Sequence, residues 1–238
     1  MFNQKNIQIF IRPNNELILK TVVVTVKTDK KQMLEGKLPE KTVERLSEYR
    51  RTLLLCLAEG KTHIFSHDLA KLHNITAVQV RRDIMFIGYS SAQRKGYDIK
   101  EMIDVIGRVL DAETGLNVAI VGIGNLGRAI TSYFSGKRSK LNIVAAFDND
   151  PGKTDRIIAG VSCFKISMIP EIIKEKGISI GIITVPSDFA ADTAKSLIES
   201  GIKGILNFTS VPLNVPENVY LENSDMITLL EKVAYFVK

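Results

Sequence analysis

At 238 residues the chain exceeds the usual span of one domain, about 100–150 residues, and has room for two. A composition of 45% hydrophobic and 24% charged residues excludes wholesale disorder, and no apolar run approaches the roughly 20 residues that cross a bilayer. The start lacks a basic-then-apolar leader, and the two cysteines, Cys56 and Cys163, stand outside any C-x-x-C; the expectation is a cytoplasmic protein with no disulfide scaffold and no thiolate zinc site.

The net charge of +6 is unevenly placed. Residues 1–100 hold 18 Lys/Arg against 10 Asp/Glu, net +8, whereas 101–238 hold 14 against 16, net −2. A basic first part attached to a mildly acidic second part points to a polyanion partner, above all nucleic acid.

In chain order, residues 1–32 carry β-prone stretches broken by Arg12-Pro13-Asn14-Asn15. They compose a hairpin or, since two strands alone are marginal in water, a poorly ordered extension. A coherent domain is expected from Met33 to about 100. Thr42 to Leu57 places Val43, Leu46, Leu53, Leu54 and Leu57 at near-helical spacing, and Gly60 ends the run. Ser66 stands where a second helix takes its N-cap, His73-Asn74-Ile75 makes a turn, and Thr76 with Gln79 forms a capping box for a third. Val80, Ile84 and Ile87 then face inward, leaving Gln79, Arg82 and Asp83 outward with Arg81 at the flank. Two short helices joined by a tight turn form a helix-turn-helix, and the second helix suits the major groove. There arginine bridges guanine O6 and N7, and glutamine bridges adenine N6 and N7.

Beyond Asn117 the texture changes to alternating strands (Val118–Val121, Ile143–Phe147, Ile178–Val185, Gly204–Phe208) and helices (Leu126–Ser135, Met168–Lys176, Ala190–Ser200). The fold class is therefore α/β with a doubly wound parallel sheet, expected over 101–223. Gly122-Ile123-Gly124-Asn125-Leu126-Gly127 follows the first strand and opens a helix, and Asp148 stands 21 residues beyond Gly127. That spacing is the dinucleotide fingerprint. The glycines serve the turn, the approach of backbone to pyrophosphate and helix–strand packing, while Asp148 accepts from ribose hydroxyls and repels a 2′-phosphate. NAD(H) is thus expected over NADP(H). Gly60-Lys61-Thr62 and Gly152-Lys153-Thr154 lack the first glycine of a P-loop. All three histidines, His63, His67 and His73, precede this domain, so no metal site is expected. No general acid is at hand for hydride transfer either, and no catalytic residue is assigned. The last segment, 224–238, is a helix apolar on nearly every side, which requires burial on more than one face.

Assembled, these features resemble the Rex family of redox-sensing transcriptional repressors. The likeness runs from about Lys37 to Val237. It is carried by Leu38-Pro39, Tyr49-Arg50-Arg51, Val80-Arg81-Arg82-Asp83, Gly122 to Gly127, Ala146-Phe147-Asp148 and Thr184-Val185-Pro186, then by Gly201 to Phe208 and Leu213-Asn214-Val215-Pro216. The resemblance implies a winged-helix domain, a Rossmann-like NADH and NAD+ site, and a homodimer that exchanges its C-terminal helices. It also implies a palindromic double-stranded DNA operator, released when NADH binds, with two recognition helices held roughly 34–36 Å apart. Thr184, Val185, Asn207 and Phe208 are then expected to line the nicotinamide pocket. Tyr49, Arg50, Arg51, Ser66, Thr76, Gln79, Arg81, Arg82, Arg94 and Lys95 are expected at the DNA, with Tyr97 as the switch. One stretch departs from the family: Gly88-Tyr89-Ser90-Ser91-Ala92-Gln93-Arg94-Lys95-Gly96-Tyr97 lacks some of the glycines of the family's wing. Two other readings stay open, an NAD-dependent reductase with an unrelated basic accessory domain and a nucleotide- or CoA-binding subunit of a larger complex.

Overall fold

The computed structural model describes residues 38–90, 95–134 and 140–237, together with two N-terminal strands, β1 (Gln8–Ile11) and β2 (Leu17–Thr21). Backbone contacts divide the chain into Met1–Leu110 and Asp111–Lys238.

In the first unit β1 and β2 pair antiparallel, Phe10 opposite Ile18, so a hairpin is present. The remainder of the expected extension lies outside the described residues. Helix α1 (Glu40–Ala58) starts at Pro39, whose carbonyl accepts from the Thr42 and Val43 N–H groups. It buries Leu46, Tyr49, Leu53 and Cys56, a stripe at helical spacing. Val43 and Leu54, expected inward, are 40% and 45% exposed, because Tyr49 and Cys56 hold the core face instead. Next come β3 (His63–Ile64), α2 (Ser66–Leu72), α3 (Ala77–Phe86), β4 (Tyr97–Asp98) and α4 (Ile99–Leu110). β3 and β4 pair antiparallel with Ile64 opposite Tyr97. Ile99, Met102, Val105 and Ile106 of α4 complete the core begun by α1. The boundary expected near residue 100 therefore moves to Leu110: a helix with that apolar stripe belongs to the core it closes.

The second unit is a seven-stranded sheet ordered β11-β10-β9-β5-β6-β8-β7. Its strands are β5 (Leu116–Val121), β6 (Leu141–Asp148), β7 (Arg156–Ile158), β8 (Val161–Lys165), β9 (Ile178–Ile183), β10 (Gly204–Asn207) and β11 (Tyr220–Asn223). All neighbours run parallel except β7 with β8. Helices α5 (Asn125–Phe134), α6 (Ile169–Glu175) and α7 (Ala190–Glu199) cover it. In β5, Ala119 and Val121 join the core of one face while Val118 and Ile120 join the other. A strand buried on both sides reads as a continuous apolar run, which is why it was legible. The β7–β8 hairpin was not. Its turn, Ala159-Gly160, takes φ +50° and +81°, the double positive-φ geometry that Asn-Gly or Asp-Gly normally signals.

The chain ends in α8 (Met226–Phe236). The Asp225 carboxylate caps it, accepting from the Ile227 and Thr228 N–H groups. No residue of α8 is buried, and Leu230, Val233 and Phe236 are 69%, 58% and 76% exposed.

Candidate nucleotide cleft and nucleic-acid interface

The strand order reverses between β5 and β9, and a cleft of about 650 Å³ opens at their C-terminal ends. That switch point is where open α/β sheets hold ligands, and the volume lies within the range of ligand pockets, about 300–1,000 Å³. Gly122 closes the turn at φ +94°, and a Cβ there would stand 2.7 Å from the Thr184 carbonyl oxygen. Thr184 braces this turn, its hydroxyl donating to the carbonyls of Gly122 at 2.8 Å and Val121 at 3.1 Å. A Cβ on Gly127 would collide with the Gly122 carbonyl oxygen, whereas Gly124 has nothing within 4 Å of its Cβ position. The first and third glycines are thus packing requirements. The second leaves backbone open at the start of α5, where N–H groups attract anions. Gly127→Ala is expected to cost about 3 kcal/mol of unfolding free energy as overpacking, read as a lowered denaturant midpoint at unchanged slope.

Asp148 ends β6 at the cleft. Its Oδ2 accepts from the Ile123 N–H at 3.0 Å and Lys153 Nζ at 3.1 Å, and its Oδ1 accepts from the Asp150 N–H at 2.9 Å. Burial pushes this carboxyl up, but the Asp150 N–H, Lys153 and the Ile123 N–H together hold it below the usual carboxylate range. A carboxylate offers about four acceptor positions, so Asp148 retains capacity on Oδ1 for a ribose hydroxyl. Glycine turn, open backbone and ionised Asp148 together fit a dinucleotide.

Of the expected cofactor residues, Gly122, Gly124, Asn125, Leu126, Asp148, Thr184 and Val185 line the cleft. Ile123 offers only backbone, since its side chain is buried in the core, and Gly127 packs beneath the turn. Asn207 is corrected: it is fully buried, donating to the Val211 carbonyl and Asn223 Oδ1 and accepting from the N–H and hydroxyl of Thr209. With its amide spent closing that loop, it has none left for a nicotinamide. Phe208 is half-buried, packing against the core on the opposite sheet face from Ala119 and Val121, and is not among the residues that line the cleft. Sequence reasoning missed Lys153, Pro186 and Phe189 in the lining. In sequence Lys153 stands only within an incomplete P-loop pattern, while Pro186 directly extends the Thr184-Val185 signal. The Cys163 thiol, behind Asp148, is pushed up to about 11 by burial and then by that carboxylate, so it stays protonated at neutral pH.

In the first unit, α2, a turn through Asn74 at φ +53° and α3 make the expected helix-turn-helix. Thr76 Oγ1 caps α3 by accepting from the Gln79 N–H at 3.1 Å. Ser66 is corrected from N-cap to first helical residue, the cap being Phe65. Its hydroxyl accepts from Arg81 Nη1 at 3.1 Å, tying α2 to α3. Arg81 and Arg82 are exposed and, with Val78, Met85 and Phe86, border a hollow of about 470 Å³. Arg51 and Lys95 are exposed and Arg50 half-buried; Arg94 lies outside the described residues.

Two residues read as outward-facing lie in the core. Tyr49, expected at the DNA, is fully buried and donates its hydroxyl to Asp83 at 2.9 Å. Asp83, expected outward, is fully buried because Arg45, 38 positions earlier, clasps it from α1. Tyr97 is half-buried against the same core, its ring 5.9 Å from that of Tyr89. Burial holds its hydroxyl above the usual range, against the charge of Arg81. His73 is structural, packed edge-on to Tyr49 and 3.0 Å from the Thr52 hydroxyl. Among the described residues, no group of three or more His, Cys, Asp or Glu could hold a metal, and no helix is long and apolar enough to cross a membrane.

Residues 37–84 match the family model "Putative DNA-binding protein N-terminus", and 113–211 match "CoA binding domain". The redox-sensing transcriptional repressor Rex of Lactobacillus acidophilus is 35% identical over 201 residues, covering 84% of this chain and 95% of the relative. The chain belongs to the Rex family. The crystal structure of RSP, a Rex-family repressor, in complex with beta-NAD+ and operator DNA superposes with a TM-score of 0.78 at 32% identity, covering 84% of this chain and 93% of that one. RSP in complex with beta-NADH gives 0.75 at 32%, covering 84% and 94%. The α/β architecture with an N-terminal DNA-binding domain is thus the Rex architecture, and the Rex relatives are named as repressors, not enzymes.

Proposed function

We propose that this chain is a cytoplasmic, NADH-responsive transcriptional repressor that acts as a homodimer on palindromic operator DNA. The observation that carries the reading is the coexistence, in one chain of Rex ancestry, of an exposed Arg81–Arg82 pair on a helix-turn-helix and a glycine-turn cleft ending in ionised Asp148. In this reading Arg81 and Arg82 with the Thr76 and Ser66 helix starts meet DNA, Arg50, Arg51, Arg94 and Lys95 meet phosphate, and Tyr97 transmits the ligand's state. Gly124 admits the pyrophosphate, Asp148 takes the adenosine ribose, and Val185 with Pro186 supplies an apolar wall. NADH presents an uncharged reduced nicotinamide where NAD+ carries a positive charge, so an apolar wall favours the reduced form. The same Asp148 disfavours CoA, whose ribose 3′-phosphate would bring like charge to the carboxylate. Unpartnered α8 fits exchange into a second copy.

Coupling between the two sites is reciprocal: if NADH weakens operator binding by some factor, operator weakens NADH by the same factor. The test is fluorescence anisotropy on an operator duplex titrated with NADH and with NAD+. NADH is expected to release the duplex at concentrations where NAD+ leaves it bound, with the absorbance at the reduced nicotinamide unchanged throughout. Equal release by the two forms would refute redox sensing, and oxidation of NADH with a carbonyl substrate would favour a reductase.

A further inference from the structure

Gln79 is half-buried in the first turn of α3, and its Nε2 donates to Asp83 Oδ1 at 2.9 Å. Asp83 is otherwise filled. Oδ1 also accepts from Arg45 Nη2 at 2.8 Å, and Oδ2 accepts from Arg45 Nε at 2.6 Å and the Tyr49 hydroxyl at 2.9 Å. Four donors occupy the roughly four lone-pair positions of a carboxylate. This cluster ties α1 to α3 beneath the helix that carries Arg81 and Arg82.

The arrangement fixes which way round the Gln79 amide sits. Both Asp83 oxygens already accept from Arg45 and Tyr49, so the amide turns its nitrogen inward to donate; the reversed amide would set Oε1 against Asp83 oxygens. One of its two N–H groups is then consumed. What remains for an outside partner is one acceptor, Oε1, beside one donor, the second N–H. The adenine edge in the major groove is the complement, an N6–H donor beside the N7 acceptor. Guanine shows two acceptors, N7 and O6, and would face Oε1 with another oxygen. A glutamine free to rotate lacks this restriction.

We propose that Asp83, through its hydrogen bond to Gln79, sets that side chain as an adenine reader that rejects guanine. The inference rests on the reading of α3 as the DNA-facing helix. Gln79 is the contacting residue; Asp83 is a positioning residue that never reaches the groove.

The test begins with selection from a randomised duplex library by the full chain. Wild type is expected to enrich adenine at one position per half-site, and Gln79→Ala to lose the preference there alone. On the selected duplex, replacing that A·T pair by G·C, or the adenine by 7-deazaadenine, is expected to weaken wild-type binding about tenfold and to leave Gln79→Ala within about twofold of its own affinity. In Asp83→Asn an amide replaces the carboxylate and can donate to Oε1, freeing both Gln79 N–H groups. The ratio of adenine to guanine affinity is expected to fall toward one, a readout that general loosening of α3 does not predict. The 7-deazaadenine comparison of wild type with Gln79→Ala involves no change at Asp83, so the adenine contact that the proposal requires stays testable even if Asp83→Asn folds poorly, and undiminished wild-type binding to that duplex would overturn the proposal. Enrichment of guanine at the Gln79-dependent position, no position dependent on Gln79, or an unchanged ratio in folded Asp83→Asn would each overturn the inference while leaving the repressor reading intact. Failure to enrich any sequence overturns both.

Discussion

If the chain is the homodimer proposed above, Leu230→Glu combined with Val233→Glu is expected to yield monomers and to weaken operator binding by about 10²- to 10⁴-fold, the loss of linked two-site binding. The two side chains are 69% and 58% exposed on α8, and no residue of that helix is buried by its own chain. Burying a Leu or Val side chain contributes about 1.5–3 kcal/mol, and a carboxylate forced into the same apolar seat would lose that and add a desolvation cost. Asp225 caps the helix through Ile227 and Thr228, outside the substituted positions, so α8 keeps its start. Gly122, Gly124, Asp148 and Thr184, which line the nucleotide cleft, all lie outside α8, and NADH binding is therefore expected to persist. Light scattering after gel filtration reads the mass; anisotropy on full and half operators reads the affinity. A variant that stays dimeric with full operator affinity would refute α8 as the exchanged element.

Asp148→Ala is expected to weaken NADH about 10- to 100-fold, to narrow or reverse the preference against NADPH, and to leave operator affinity without nucleotide unchanged. Hydrogen bonds to a charged group contribute about 1.5–3 kcal/mol; Asp148 fixes the Ile123 N–H of the glycine turn and, in the proposed reading, accepts one from a ribose hydroxyl. Removing the carboxylate also removes the charge that opposes a 2′-phosphate. It frees Lys153, now 3.1 Å from Asp148 and 3.7 Å from Asp150, to meet that phosphate. Isothermal titration with NADH and NADPH measures both effects; an unaltered NADH/NADPH ratio would count against Asp148 as the ribose partner. The pH dependence follows in sign. A carboxyl whose folded pKa lies below its ordinary 3.8 contributes stability that is complete above that value and is lost as pH falls through the folded pKa. Wild-type NADH affinity is accordingly expected to show no Asp148 titration between pH 8 and about 5.

The nucleotide site was largely legible because its signals are local. Strand, glycine turn and helix start follow one another from Val118 to Leu126, and Asp148 comes at the end of the very next strand. Thr76 and Asn74 were equally readable, since a cap and a left-handed turn depend on residues within one helical turn. Misplacements came where a partner far along the chain decides. Helical spacing alone turned Asp83 outward, and only Arg45 and Tyr49, arriving from α1, make its burial affordable by filling its lone pairs. Asn207 ends a strand beside the cleft's neighbours, but its amide is claimed by Val211 and by Asn223 on the adjoining strand. Short-range order therefore belonged to the sequence by itself: the helix-turn-helix, the dinucleotide turn and the apolar terminal helix. Which polar side chains are free to meet DNA or nucleotide, and where the first unit ends, was decided by tertiary structure, because hydrogen-bond satisfaction is settled between elements that the chain brings together only on folding.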